Sequence, residues 1–119
     1  MKQRGVASFR VDRLGTLLRR VDLPDGRFYE HACLKATFDA VVDVFEMDPA
    51  PATVHGLAQR LQLPLSQTHV AVEFLAEFTL IARARVGKQG RGPWIKQSPC
   101  LTEEALASYH YLKETGATA

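Results

Sequence analysis

The chain has 119 residues, 46% hydrophobic and 24% charged, with a formal net charge of +2, which suits one soluble globular domain and is too short for two. No run approaches the roughly 18 consecutive apolar residues of a membrane span, and no apolar run follows the charges at the N-terminus to suggest a secretory leader, so a cytoplasmic protein is expected. Cys33 and Cys100 lack any metal-type spacing and are expected to be free thiols in a reducing compartment.

Residues 1–28 read as an N-terminal extension able to serve as a dimerisation arm, and residues 29–119 as the main domain. Leu23-Pro24-Asp25-Gly26 is a turn signal. A hairpin and a helix both fit the residues before it. Leu14, Leu17, Leu18 and Val21 match helical spacing and favour a helix over 11–20. The next helix is expected from about Tyr29 to Glu46, with Leu34, Phe38, Val41, Val42 and Phe45 forming one stripe, and it ends before Pro49 and Pro51. Thr53 is placed to cap a short helix through Val54, Leu57, Ala58 and Leu61, which closes at Gln62-Leu63-Pro64.

A third helix over 66–78 follows, with Ser66 as its cap. Val72, Leu75 and Phe78 give its inward face, flanked by Thr68 and Phe74. Leu80 to Val86 alternates small or apolar residues with arginine, as a half-exposed strand does. Gly87 to Pro93 holds three glycines and predicts a flexible turn, and Trp94 to Gln97 predicts the returning strand. Trp94 is assigned to packing between strand and helix. Leu101-Thr102-Glu103-Glu104 opens a last helix capped by Thr102, with the acids near its positive end and Ala105, Leu106, Tyr109 and Leu112 on its apolar face.

Charge is unevenly spread. Residues 1–20 carry a net +5, residues 21–77 a net −6, residues 78–102 a net +5 and the tail a net −2. A polarised surface is expected from such blocks.

The stretch from Thr53 to Arg83 resembles the helix-turn-helix segments of MarR-like and IclR-like regulators. Thr53-Val54 and Leu57-Ala58 stand as in the family's first helix, and Leu61-x-Leu63-Pro64-x-Ser66 leads into the recognition helix. Leu80-Ile81 and Arg83 follow as its apolar pair and basic strand. Leu101-Thr102-x-Glu104 resembles the segment after the family's wing. The resemblance covers roughly residues 32–112. It implies an α+β but mainly α fold, a winged helix-turn-helix with a three-helix core, a two-stranded β-wing and flanking terminal helices. Thr79 departs from the family's glycine at the end of the recognition helix, and a β-branched residue is expected to end it without a left-handed cap. That helix also lacks arginine and lysine.

What the resemblance implies is sequence-specific binding of double-stranded DNA by a transcriptional regulator, a repressor, with no cofactor, no metal and no catalysis. Helix 66–78 would enter the major groove, with Ser66, Gln67, His69 and Val70 reading bases. The wing over 83–96 would take the backbone or minor groove through Arg83, Arg85, Lys88, Arg91 and Lys96. A homodimer is expected through Leu14, Leu17 and Leu18 on one side and Leu106, Tyr109 and Leu112 on the other. The alternative is a protein-interaction module of the same fold with no DNA readout, favoured by the missing arginines. Catalysis has little support: His31, His55, His69 and His110 are scattered and none stands at a metal-like spacing from a cysteine or carboxylate.

Overall fold

In the computed structural model, which describes residues 5–84 and 92–119, three strands lead the chain. These are β1 (Val6–Val11), β2 (Leu17–Asp22) and β3 (Phe28–Cys33). Three helices follow, α1 (Lys35–Met47), α2 (Val54–Leu61) and α3 (Leu65–Glu77), then the hairpin strands β4 (Ile81–Arg83) and β5 (Trp94–Lys96), and finally α4 (Leu101–Thr115).

The first three strands form an antiparallel sheet in chain order, with Val11 opposite Leu17 and Leu17 opposite Cys33. Period two decides its faces: Phe9, Val11, Leu17, Val21 and Cys33 are buried, while Arg10, Arg20, Asp22 and Glu30 lie on the outer side.

This overturns the expected architecture. The helix over 11–20 does not form, and the fold is not a helix-core winged helix-turn-helix. It is an α+β layout, β-β-β-α-α-α-β-β-α, in which a strand-built layer opens the chain and packs against α3. The physical reason lies between Asp12 and Thr16. Asp12 Oδ1 accepts hydrogen bonds from the amides of Leu14 and Thr16, both at 2.9 Å, and Gly15 takes φ +85°, a conformation a side chain resists. The chain therefore reverses in the middle of the expected helix. Leu17 and Val21 satisfied the helical spacing, yet with Arg19 between them they satisfy alternation equally. The turn at 23–26 forms as expected, closed by bonds between Leu23 and Arg27 and between Gly26 and Leu23. Because β3 takes residues 28–33, α1 starts six residues later than expected, at Lys35 rather than Tyr29, and the boundary placed after residue 28 falls inside β3.

Within the helices the apolar stripes place the core. Phe38, Val41, Val42 and Phe45 of α1 are buried, whereas Leu34 is more than half exposed. Val70, Ala71, Val72, Phe74 and Leu75 bury most of α3. Phe74 is the hub: Phe9 meets it edge-on at 5.6 Å and Phe38 at 5.3 Å, geometries that suit the aromatic quadrupole. From α4, Leu101, Ala105, Tyr109 and Leu112 close the far side. Tyr109 stacks on Phe38 at 5.5 Å, and its hydroxyl donates to the Gly15 carbonyl at 2.6 Å. That bond ties the last helix to the first turn.

The ends of the elements test the cap readings. Thr53 Oγ1 accepts from Gly56 N at 3.0 Å, as expected. Ser66 and Thr102 do not cap: the residues before α3 and α4 are Pro64 and Cys100. At the end of α3, Thr79 does adopt the left-handed conformation, φ +57°. The amide of Leu80 reaches back to Leu75 O at 2.9 Å and that of Thr79 to Ala76 O at 3.0 Å, so helix carbonyls find donors at the cost of a strained β-branched residue. The expectation of another ending is corrected.

Candidate ligand cleft

β4 and β5 pair antiparallel, with Ile81 opposite Lys96 and Arg83 opposite Trp94. Trp94 also exchanges both backbone bonds with Ala52, which anchors the hairpin to the segment before α2. Its root is therefore fixed beside the first residues of α2 and α3. A cleft of about 700 Å³ opens between them.

Four elements build its walls. The first turn of α2 contributes Val54 and His55, preceded by the cap residue Thr53; α3 contributes Leu65, Ser66, His69 and Glu73. His31 enters from β3, and Arg83, Gly92, Pro93 and Trp94 come from the hairpin. The apolar surfaces of Val54, Leu65, Pro93 and Trp94 thus face a polar rim. Arg83 is held by its own strand partner: its guanidinium lies 3.9 Å over the Trp94 ring and Nη1 donates to the Gly92 carbonyl. A stacked guanidinium keeps its charge and its remaining donors, and Arg83 has no carboxylate partner among the described residues. His69 Nε2 stands 3.3 Å from Glu73 Oε1. The first residues of two helices meet here, where unpaired amides and the helix dipole favour an anion. Among the described residues no group of three or more metal-type side chains converges.

The expected base readers divide into two pairs. Ser66 and His69 line the cleft. Gln67 does not: its Oε1 accepts from Leu34 N at 3.1 Å and from Thr37 Oγ1 at 2.9 Å, which makes it a clasp between α3 and α1. Val70 is fully buried, as is Ala71, because β3 packs along α3. A helix covered in this way cannot enter a groove along its length, so the expected reading by the whole of 66–78 does not hold.

Of the expected backbone contacts, Arg83 lines the cleft, while Lys96 is paired with Glu46 at 3.0 Å. Arg85, Lys88 and Arg91 lie outside the described residues. Two arginines of the basic N-terminal block are paired in place, Arg10 with Glu30 and Arg20 with Asp22. The expected dimer surface is mostly internal: Leu17, Tyr109 and Leu112 belong to the chain's own core, Leu18 and Leu106 are half-buried, and Leu14 alone is fully open at 91% exposure.

His31 and His55 are far apart in the sequence, and the fold brings both to the cleft beside His69. No spacing in the sequence signals this, because they come from a strand and two different helices. Trp94 packs partly against the core, as expected, and also forms the cleft wall. Both cysteines are free, Cys33 buried and Cys100 exposed. Among the described residues no helix is long and apolar enough to cross a membrane.

Comparison of the chain with family models, with curated proteins and with solved structures found no match.

Proposed function

We propose that this chain is a double-stranded DNA-binding protein with no catalytic role, and that it grips the sugar-phosphate backbone with the cleft rim. One observation carries the reading. Arg83, three histidines and the starts of two helices face one opening that holds a single carboxylate, Glu73. Such a site attracts phosphate oxygens through charge and through helix-end amides. In sequence, Arg85, Lys88 and Arg91 follow Arg83 with no acid among them. Base readout is left to Ser66 and His69, since Gln67 and Val70 are engaged elsewhere, so affinity is dominated by backbone contacts and sequence preference is modest. A role in transcriptional repression follows if that preference suffices to select an operator.

A second reading rests on the apolar walls. Val54, Leu65, Pro93 and Trp94 suit a protein partner, whose binding would depend little on salt. Fluorescence anisotropy with a labelled duplex of about twenty base pairs separates the two. Under the DNA reading, affinity falls steeply with added salt, as counterion release requires, and Arg83→Ala weakens it by about tenfold and flattens the salt slope by about one. Gln67→Ala, which removes a clasp rather than a contact, leaves affinity unchanged in the folded protein. Absence of binding at low salt would exclude the DNA reading and leave the partner reading standing.

A further inference from the structure

We infer that protons regulate the cleft: its hold on DNA tightens as pH falls, because three of the chain's four histidines line it. This rests on the DNA reading of the same cleft.

Histidine is the side chain whose charge ordinarily changes between about pH 5 and 8. His31 enters from β3, His55 from α2 and His69 from α3, and all three retain solvent access. Around them, α3 supplies Glu73 and β4 supplies Arg83, while β5 supplies the uncharged Trp94. Arg19 of β2 stands opposite His31 in register, and Tyr29 of β3 lies with its ring 5.3 Å from the His31 ring. With the imidazoles neutral, Arg83 and Glu73 cancel at the rim. With all three protonated the rim gains three positive charges, and His69, 3.3 Å from Glu73, neutralises the one carboxylate that repels phosphate. Bound phosphates in turn favour the protonated imidazoles, so proton uptake and DNA binding are linked. Each histidine that takes up a proton on binding can strengthen affinity by up to about tenfold per pH unit. The fourth, His110, sits exposed on α4, does not line the cleft and serves as a control.

The test is anisotropy with the same duplex at fixed ionic strength between about pH 8 and pH 6. The wild-type chain is expected to tighten by about a hundredfold over that range. The triple variant H31Q/H55Q/H69Q, weakened at every pH by loss of the base-reading His69, should lose most of that dependence, and H110Q should keep it. His55→Gln alone, at an exposed helix position, should remove roughly a third of the logarithmic change, and circular dichroism checks that each variant is folded. Wild-type binding that is flat with pH overturns the inference and leaves DNA binding intact. A pH response that survives in the triple variant, or that His110→Gln abolishes, also overturns it. No binding at any pH removes the DNA reading and the inference with it.

Discussion

The three-stranded sheet and the β4–β5 hairpin both alternate side chains across two faces, yet they bury very different amounts. From the first, Phe9, Val11, Leu17, Val21 and Cys33 enter the core. From the second, Ile81 is the buried strand residue, and Arg83, Trp94 and Lys96 stay at least partly open. The difference follows from what lies beneath. The sheet covers α3 and shares its aromatic cluster, whereas the hairpin is pinned at its root by Ala52 and overlooks a cleft. One sheet supplies stability and the other places Arg83, which has no ion pair among the described residues, at the cleft. A chain of this length has limited core to spare, so separating the two tasks keeps the cleft rim from depending on packing.

The sharpest way to break this comparison is Phe9→Ala. It removes a ring that is 2% exposed and edge-on to Phe74, and such truncations cost about 3–5 kcal/mol. A denaturant titration should show that loss. Arg83→Ala, by contrast, should shift the same curve by less than about 0.5 kcal/mol while weakening DNA binding. If Arg83→Ala destabilised the fold as Phe9→Ala does, the hairpin would be part of the structural core and the division would be wrong.

A smaller effect of opposite sign sharpens the picture at the joint between α3 and β4. Thr79 holds φ +57°, where a β-branched side chain is strained and glycine is not. Its side chain is exposed, so its removal opens no cavity. Thr79→Gly should therefore stabilise the fold by about 1 kcal/mol, read as a raised midpoint with unchanged slope. A loss of stability would mean that the Thr79 hydroxyl bond to the Phe78 carbonyl, 2.6 Å, contributes more than the strain costs.

The same two regions mark what could be read from the sequence. The stripe Phe38, Val41, Val42, Phe45 and the Thr53 cap are local patterns, set by residues within one or two turns, and the structure keeps them. Leu17 to Val21 fits two periods at once, and only the reversal at Asp12–Thr16 chooses between them; Gly15 was the available signal. Two further features could not be seen at all. The burial of Val70 and Ala71 depends on β3 crossing α3, a contact between residues far apart in the chain, and so does the meeting of His31, His55 and His69. Even the polar surface misled: Gln67 reads as an exposed helix residue until the amide of Leu34 and the hydroxyl of Thr37 appear beside it.

The smallest expected effect concerns the two thiols, one inside the three-stranded sheet and one beyond the hairpin, before α4. Cys33 closes β3 inside the core, and burial pushes its thiol up to about 12, with Asp39 adding to the shift and a backbone hydrogen bond at Phe38 opposing it. Cys100, before α4, is exposed. The thiolate is the reacting species, so the native protein near neutral pH should release one equivalent with a disulfide reagent promptly, from Cys100, and a second only on unfolding. The stability consequence has a definite sign. Below the ordinary thiol value, about 8.5, both folded and unfolded chains keep the Cys33 proton and stability is unaffected. Above it the unfolded chain ionises while the folded one resists, so stability falls as pH rises toward about 12. Tyr109, also raised chiefly by burial, acts in the same direction at higher pH. Cys33→Ala should flatten the earlier part of that alkaline loss and leave the later part. If both thiols reacted at once in the folded protein, the inner face of the three-stranded sheet would be open to solvent, and the contrast with the hairpin would no longer hold.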